Sequence, residues 1–400
     1  MNIRNQTSTT NAVLALADGE IFTGIGFGDL TQELAGEVVF NTAITGYQEI
    51  ITDPSYYQQI VVFTAPHIGN TGINCEDNES QNVHCSGIAL HQLSSIVSNW
   101  RTKKSLEGFL LENNKIGIYG IDTRKLTTIL RQKGSQGGAI CSSTSSNKKT
   151  LEDLSYHALE LAKKFGSMQG KALAYEVSTK KSYEWNNCSI NWDGTEKNNT
   201  SETDVKKKVC VIDFGVKTNI LRRLVDLGGE VMVFPAKTSV EEIMQYNPDG
   251  ILLSNGPGDP EPCIETIRNV RELLKLKIPM MGICLGHQIL AIACGARCKK
   301  MKFGHHGANH PVLDLHTKQV MITSQNHGFT VDDENLPNDI TTTHRSLFDN
   351  TIQGFEHKKL PIFGFQGHPE ASPGPQDIDI LFNKFFNLIL DKTKHKELTM

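Results

Sequence analysis

One cysteine in this chain sits in a setting that suits nucleophilic chemistry. In IPMMGICLGHQIL an apolar strand pattern runs into Gly282-Ile283-Cys284-Leu285-Gly286, and a helical pattern begins at once. Small residues two before and two after the cysteine let the chain turn tightly and push the side chain out at the strand end. This is the logic of the G-x-S-x-G nucleophile elbow with sulfur in place of oxygen. A helix starting at Leu285 aims its unpaired N–H groups and positive dipole end at the sulfur, which favours thiolate. A cysteine that merely fills a core does not need glycine on both sides.

A sulfur nucleophile needs a group to manage protons. PIFGFQGHPEASPGP supplies one: the strand IFGFQ ends at Gly367, and His368-Pro369-Glu370 come next. Proline fixes the backbone between the two, so Glu370 can orient the imidazole while His368 carries a proton between sulfur and leaving group. A third element is LLSNGPGDP, where Ser254 ends a strand and Asn255-Gly256-Pro257-Gly258 forms a loop. Ligands of parallel sheets sit outside the carboxyl ends of the strands. Backbone N–H groups at Gly256 and Leu285 are then candidates to stabilise a tetrahedral oxyanion.

The elements that must position these groups alternate through the second half. VCVIDF, EVMVFP, GILLS and IPMMGI read as buried strands, and helical patterns lie between them at Lys217–Leu227, Val240–Tyr246 and Cys263–Leu276. That rhythm predicts a parallel sheet with helices on both faces. An amphipathic helix closes the chain over 377–390, with Ile378, Leu381, Phe382, Phe385 and Ile389 at helical spacing. The first half reads as mixed α and β. Strands are expected at Val38–Phe40 and Ile60–Phe63, separated by turns at Gly46 and Asp53-Pro54. Helices are expected at Leu106–Glu112, after a capping Asp122 up to Gly134, and at Leu151–Phe165. Between Lys180 and Lys208 the composition turns to Asn, Thr, Lys and acidic residues without a period, and its later part reads as an exposed linker. The expected organisation is an α/β chain: a mixed domain over 1–180, a linker over 181–207, and a parallel-sheet domain over 208–395.

Composition narrows the rest. Of 400 residues 38% are hydrophobic and 21% charged, which fits a folded chain, and the net charge of −4 gives no reason to expect nucleic acid or an anionic membrane. No apolar run approaches the ~20 residues of a membrane span, and the N-terminus lacks the flanks of a secretory signal. Nine cysteines without a paired framework point to a reducing cytoplasm. Gly166 to Ala172 mimics a phosphate loop but is one residue short and lacks Ser or Thr after Lys171. His305, His306 and His310 lack carboxylate or cysteine at ligand spacing, so no metal is expected there. Cys294 and Cys298 read as packing residues, and Cys263 is the one other thiol at a helix start.

NGPGDP, GICLGHQ and GHPE together resemble the triad-type, class I glutamine amidotransferase domain, over about half of the chain. In the other half, GEVVFNTAITGYQEIITDPSYYQQI, PHIGNTGIN and IDTRKLT resemble the N-terminal domain of the carbamoyl-phosphate synthase small chain family. MKFGHHGANHPV and SQNHGF match that family as well. The resemblance implies glutamine hydrolysis with Cys284 as nucleophile and His368 and Glu370 as its partners. It implies glutamine contacts at Ser55, Gly256, Gly258, Leu285, Gln288, Asn326, Gly328 and Phe329. Ser55 would bring a piece of the first half to the pocket. The resemblance further implies a heterodimer with a large chain that receives the ammonia. That large chain would hold ATP and magnesium, use bicarbonate and make carbamoyl phosphate for arginine and pyrimidines, with no cofactor in this chain. Two other readings stay open on residues alone. One is a free-standing cysteine hydrolase such as a γ-glutamyl peptidase, disfavoured by the first half. The other is a non-catalytic scaffold, disfavoured by the intact Cys284, His368 and Glu370.

Overall fold

The computed structural model describes residues 11–144, 148–191, 195, 197 and 206–397. Much of the later part of the expected linker (192–194, 196 and 198–205) lies outside the described residues. The chain divides into two compact units. The first holds residues up to Thr52, Gln58–Asp77 and Gln81–Ser167; the second holds Asp53–Tyr57, Asn78–Ser80 and everything from Met168.

In the first unit seven strands close into a barrel: β1 (Ala12–Leu16), β2 (Ile21–Gly28), β3 (Leu34–Asn41), β4 (Gln59–Phe63), β6 (Gly87–Leu90), β8 (Ile116–Tyr119) and β9 (Gln136–Ser142). Their order is β1-β2-β8-β6-β4-β3-β9, and β5 (His67–Ile68) pairs separately with β7 (Gln92–Leu93). The pairs β3/β4, β4/β6 and β6/β8 are parallel and the rest of the barrel is antiparallel. All of AVLAL in β1 is buried because the strand is covered twice. Ala12, Leu14 and Leu16 join Val38, Ile60 and Ile118 in one cluster, whereas Val13 and Ala15 pack with Leu154, Ala158 and Ala162 of the helix over Leu151–Phe165. The alternation is the period of two expected of a strand.

Three of the unit's helices fall where the sequence placed them: α2 (Leu106–Glu112), α3 (Thr123–Lys133) and α4 (Leu151–Phe165). Their ends have local causes. Asp122 caps α3 by accepting from Lys125 N, Gly134 ends it at φ 101°, and Thr150 and Asp153 form a capping box on α4. Gly46 breaks the chain at φ 77° as expected, a short helix, α1 (Tyr47–Thr52), follows it, and Asp53 caps a single 3-10 turn over Pro54–Tyr56.

The second unit is built on a ten-stranded sheet. Its strands are β10 (Tyr183–Trp185), β11 (Lys207–Asp213), β12 (Gly229–Pro235), β13 (Gly250–Leu253), β14 (Met280–Ile283), β15 (Cys298–Asp314), β16 (Val320–Val331), β17 (Ile340–Ser346), β18 (Ile352–His357) and β19 (Ile362–Phe365). The order is β10-β12-β11-β13-β14-β19-β18-β17-β15-β16. From β12 to β19 the pairing is parallel; β18, β17, β15 and β16 extend the sheet antiparallel. The sequence rhythm conveyed the parallel half and not this extension. Helices α7 (Val240–Gln245), α8 (Ile264–Lys275) and α9 (Leu285–Ala293) cover one face; α6 (Thr218–Asp226) and α10 (Ile380–Glu397) cover the other. Cys210 and Ile212 of β11 face the first layer and Val209 and Val211 the second. A strand buried on both sides reads as one continuous apolar run.

Compaction changes the expected boundary at residue 180. A short helix, α5 (Ala174–Val177), belongs to the second unit, Asp259 N donates to Lys171 O at 3.0 Å, and Ala236 N donates to Ser178 Oγ at 2.9 Å. Beyond it, Tyr183–Trp185 joins the sheet edge antiparallel to β12, and Ser189 N bonds Asp226 Oδ1 at 2.8 Å. The first part of the expected linker is therefore docked, through these bonds and through Trp185 and Cys188, which pack against the core.

Candidate active site

The carboxyl ends of the parallel strands carry the site. At the end of β14 the chain reaches Cys284 with φ 51° and ψ −106°, a conformation that few non-glycine residues adopt. The flanking glycines allow this junction. A Cβ on Gly282 would stand 2.6 Å from Gly286 O, and one on Gly286 would stand 2.1 Å from Leu253 O. Strand, elbow and helix therefore pack at distances only glycine permits. Leu285 is the first residue of α9, where backbone N–H groups have no partner within the helix. Its side chain is buried in the core, so any role it has toward substrate runs through its backbone.

His368 and Glu370 lie just beyond β19. His368 Nδ1 and Glu370 Oε1 are 2.7 Å apart, and both side chains are almost wholly buried. Burial alone would make the imidazole less basic. The Glu370 carboxylate and the neighbouring Cys284 outweigh it and hold the His368 pKa above its ordinary value. Burial likewise pushes Glu370 up, and Lys217 and His368 together bring it down. The pair is thus imidazolium and carboxylate near neutrality. His368 Nε2 has no hydrogen-bond partner of good geometry among the described residues.

Lys217 was not foreseen. It lies just past β11, and its Nζ donates to Glu370 Oε1 at 2.9 Å and to Ala371 O at 2.6 Å. Burial disfavours its charge, but Glu370, Glu79 and Asp53 more than offset this and keep it protonated. Glu79 accepts from Asn219 N and bonds Ser372 Oγ. The only sequence signal for Lys217 is its place, a polar residue between a buried strand and the helix after it.

Of the remaining expected residues, Asn326 lies against the sulfur. Cys284 Sγ lies 3.4 Å from Asn326 O, and Gln366 Nε2 lies 3.9 Å from Sγ. Gln288 Nε2 donates to Phe329 O at 2.8 Å and to Gln366 Oε1 at 3.1 Å. Phe329 meets Gln288 through its carbonyl, while its ring lies beneath Lys300 Nζ. Ser55 Oγ accepts from Asn255 Nδ2 at 2.8 Å, beside the loop of Gly256 and Gly258. A Cβ on Gly256 would stand 2.2 Å from Phe214 O; Gly258 has φ +93°; and Gly328 has open space where its Cβ would be. Ser55 belongs to the compact unit of the sheet, although it lies among first-unit residues in the chain. Asp53, Asn255, Gln366 and Lys217 are the polar groups sequence reading missed.

The other thiols and the histidine cluster have different surroundings, and His306 Nδ1 lies 2.8 Å from Asn326 Oδ1. Burial pushes the Cys263 thiol up to about 12, the opposite of activation, and does the same for Cys294. His305, His306, His310 and His327 cluster in β15 and β16. Among the described residues, however, the one group of three potential metal ligands with converging atoms is Glu33, Cys141 and His157. There Lys149 already pairs with Glu33 at 2.7 Å.

Comparison with known proteins agrees with this geometry. The profile of glutamine amidotransferase class-I matches residues 210–388, which takes in the elbow, the strands beside it and His368 with Glu370. The second unit's sheet is thus that of a class-I glutamine amidotransferase domain. The profile of the carbamoyl-phosphate synthase small chain, CPSase domain, matches residues 14–140. The carbamoyl phosphate synthase small chain of Haemophilus ducreyi is 52% identical over 382 residues, spanning 94% of this chain and 98% of its own. That of Pasteurella multocida is 54% identical over 376 residues, with 94% of each chain covered. That of Pseudomonas aeruginosa is 51% identical over 384 residues, covering 96% of this chain and all of its own. The chain belongs to the carbamoyl phosphate synthase small chain family.

Proposed function

We propose that this chain hydrolyses glutamine at Cys284 and passes the ammonia to a large synthetase chain. The reading rests above all on one observation: a buried His368–Glu370 pair, held at 2.7 Å, beside a cysteine at a strand–helix elbow. The sulfur attacks the side-chain amide carbon of glutamine. His368, which the Glu370 charge keeps protonated, gives its proton to the departing nitrogen, so ammonia leaves and a γ-glutamyl thioester remains. Water then attacks the thioester, the now neutral imidazole takes its proton, and glutamate leaves with the sulfur regenerated. In this reading Leu285 N–H and Gly256 N–H stabilise the oxyanion of each tetrahedral intermediate.

Ser55, Gly256, Gly258, Gln288, Asn326, Gly328 and Phe329 form the glutamine pocket in this reading, with Leu285 contributing through its backbone. The chain itself needs no cofactor or metal. ATP, magnesium and bicarbonate belong to the large chain, which makes carbamoyl phosphate in the cytoplasm for arginine and pyrimidine synthesis. No described helix is long and apolar enough to cross a membrane.

The test separates glutamine use from synthesis itself. Cys284→Ser is expected to abolish glutamine-dependent carbamoyl phosphate synthesis while the two-chain complex still works with supplied ammonia. A mutant that kept its glutamine activity would remove Cys284 from the mechanism.

A further inference from the structure

Asp53 is a buried carboxylate that touches three separate stretches of the second unit. Its Oδ1 accepts from Ser55 N at 2.8 Å and from Asn255 Nδ2 at 3.3 Å, and its Oδ2 accepts from Asn326 Nδ2 at 3.1 Å. Only 4% of the residue is exposed. Asn255 completes the link, since the same Nδ2 reaches Ser55 Oγ at 2.8 Å and its Oδ1 accepts from Lys217 N at 3.1 Å. On the far side, Asn326 Oδ1 lies 2.8 Å from His306 Nδ1.

We infer that Asp53 is a positioning residue for glutamine, orienting the side chains of Ser55 and Asn326 on two walls of one pocket. The chemistry of the carboxylate is what matters. An amide can turn over by exchanging its oxygen and nitrogen, and both orientations have similar shape. The two carboxylate oxygens accept here, so they draw the NH₂ ends of Asn255 and Asn326 toward Asp53. Asn326 then presents its oxygen to His306, and Asn255 presents its second donor to Ser55 Oγ. This leaves the Ser55 hydroxyl proton free to donate elsewhere. Neutralising the bridge places one NH₂ group against another, and a buried donor without an acceptor is costly. The inference rests on the reading that Ser55 and Asn326 contact glutamine.

A plainer role exists for the same residue, since Asp53 also caps the 3-10 turn over Pro54–Tyr56. Asparagine and serine cap comparably well. Asp53→Ser keeps a capping oxygen but cannot span to Asn326, and Asp53→Asn keeps the shape and loses one acceptor. In the full chain, both variants are expected to raise the KM for glutamine about 10-fold or more while kcat changes by less than about 3-fold. Alkylation of Cys284 by iodoacetamide, which needs no glutamine pocket, is expected to keep its wild-type rate.

A wild-type KM in Asp53→Ser would reduce the residue to a cap and overturn the inference. A joint loss of kcat, KM and iodoacetamide reactivity would make Asp53 a support of the fold and overturn it equally. Cys284→Ser, assayed alongside, tells the two levels apart. If that variant still hydrolyses glutamine, the underlying reading has failed; if it is inactive and Asp53→Ser is normal, only the bridge has failed.

Discussion

The parallel and antiparallel halves of the second unit's sheet serve one site by opposite means. In β11, β13, β14 and β19 both faces are apolar, and the residues of the proposed chemistry lie past the carboxyl ends: Lys217, Gly256, Cys284 and His368. In β15, β16 and β17 polar side chains are buried within the strands themselves. His306, His310, Thr323, Gln325, Asn326 and His344 are all buried. The first half holds position through packing and delivers reactive groups at its rim. The second holds position through hydrogen bonds, such as Thr323 Oγ1 to His310 O at 3.0 Å and Gln325 Nε2 to Thr323 Oγ1 at 2.8 Å. Rigid apolar strands suit a nucleophile that must not move. A polar wall suits the recognition of a small polar molecule.

Substitutions can break that contrast. At the rim of the parallel half, His368→Asn should lower kcat for glutamine hydrolysis by about 10³-fold or more, with a much smaller change in glutamine binding. Equilibrium binding and steady-state rates together check this, and a mutant with normal turnover would take His368 out of the mechanism. Within the packed layer, Phe385→Ala should remove about 3–5 kcal/mol from the unfolding free energy of the unit, because the ring is fully buried. Across the polar half, Thr323→Val, nearly equal in volume, should still remove about 1–3 kcal/mol by stranding its hydrogen-bond partners. Denaturant titrations compare the two. An equal cost at both positions would mean that packing and hydrogen bonding do not divide between the halves.

Acid should weaken the polar half through its histidines. Burial lowers the pKa of His310 to about 3 and of His306 and His344 to about 4, against an ordinary 6.5, and lowers His327 as well. Such groups bind protons more readily when unfolded. Their contribution to stability is full above pH 6.5 and is lost as pH falls toward 4. Each is worth about 1.4 kcal/mol per pH unit across that window. His368 has the reverse sign, its raised pKa giving stability that is full below 6.5 and fades as pH rises. Melting temperatures between pH 7 and 5 should therefore fall with a slope of more than one proton, and His310→Gln should flatten it by about one. A pH-independent melt over that range would refute this account.

The same contrast governs what could be read beforehand. Continuous apolar runs such as GILLS and VCVIDF announce strands covered on both faces, so the parallel half and its elbow were legible. The antiparallel strands were not, because KFGHHGANHP and SQNHGF look soluble until their polar atoms are paired by distant partners. Closure of the first unit into a barrel was hidden for a related reason, since register and ring closure are set by strands far apart in sequence. Glu370 was legible through its proline-spaced histidine. Lys217, 153 positions away and bound to the same carboxylate, was not.

The backbone at Cys284 has a consequence beyond reactivity. A positive φ on a residue with a Cβ stores about 1–3 kcal/mol of strain, which glycine would release. A population of variants selected for expression and heat resistance alone should therefore drift toward glycine at 284. In the proposed mechanism the same position carries the nucleophile, so foldedness and glutamine use would pull residue 284 in opposite directions.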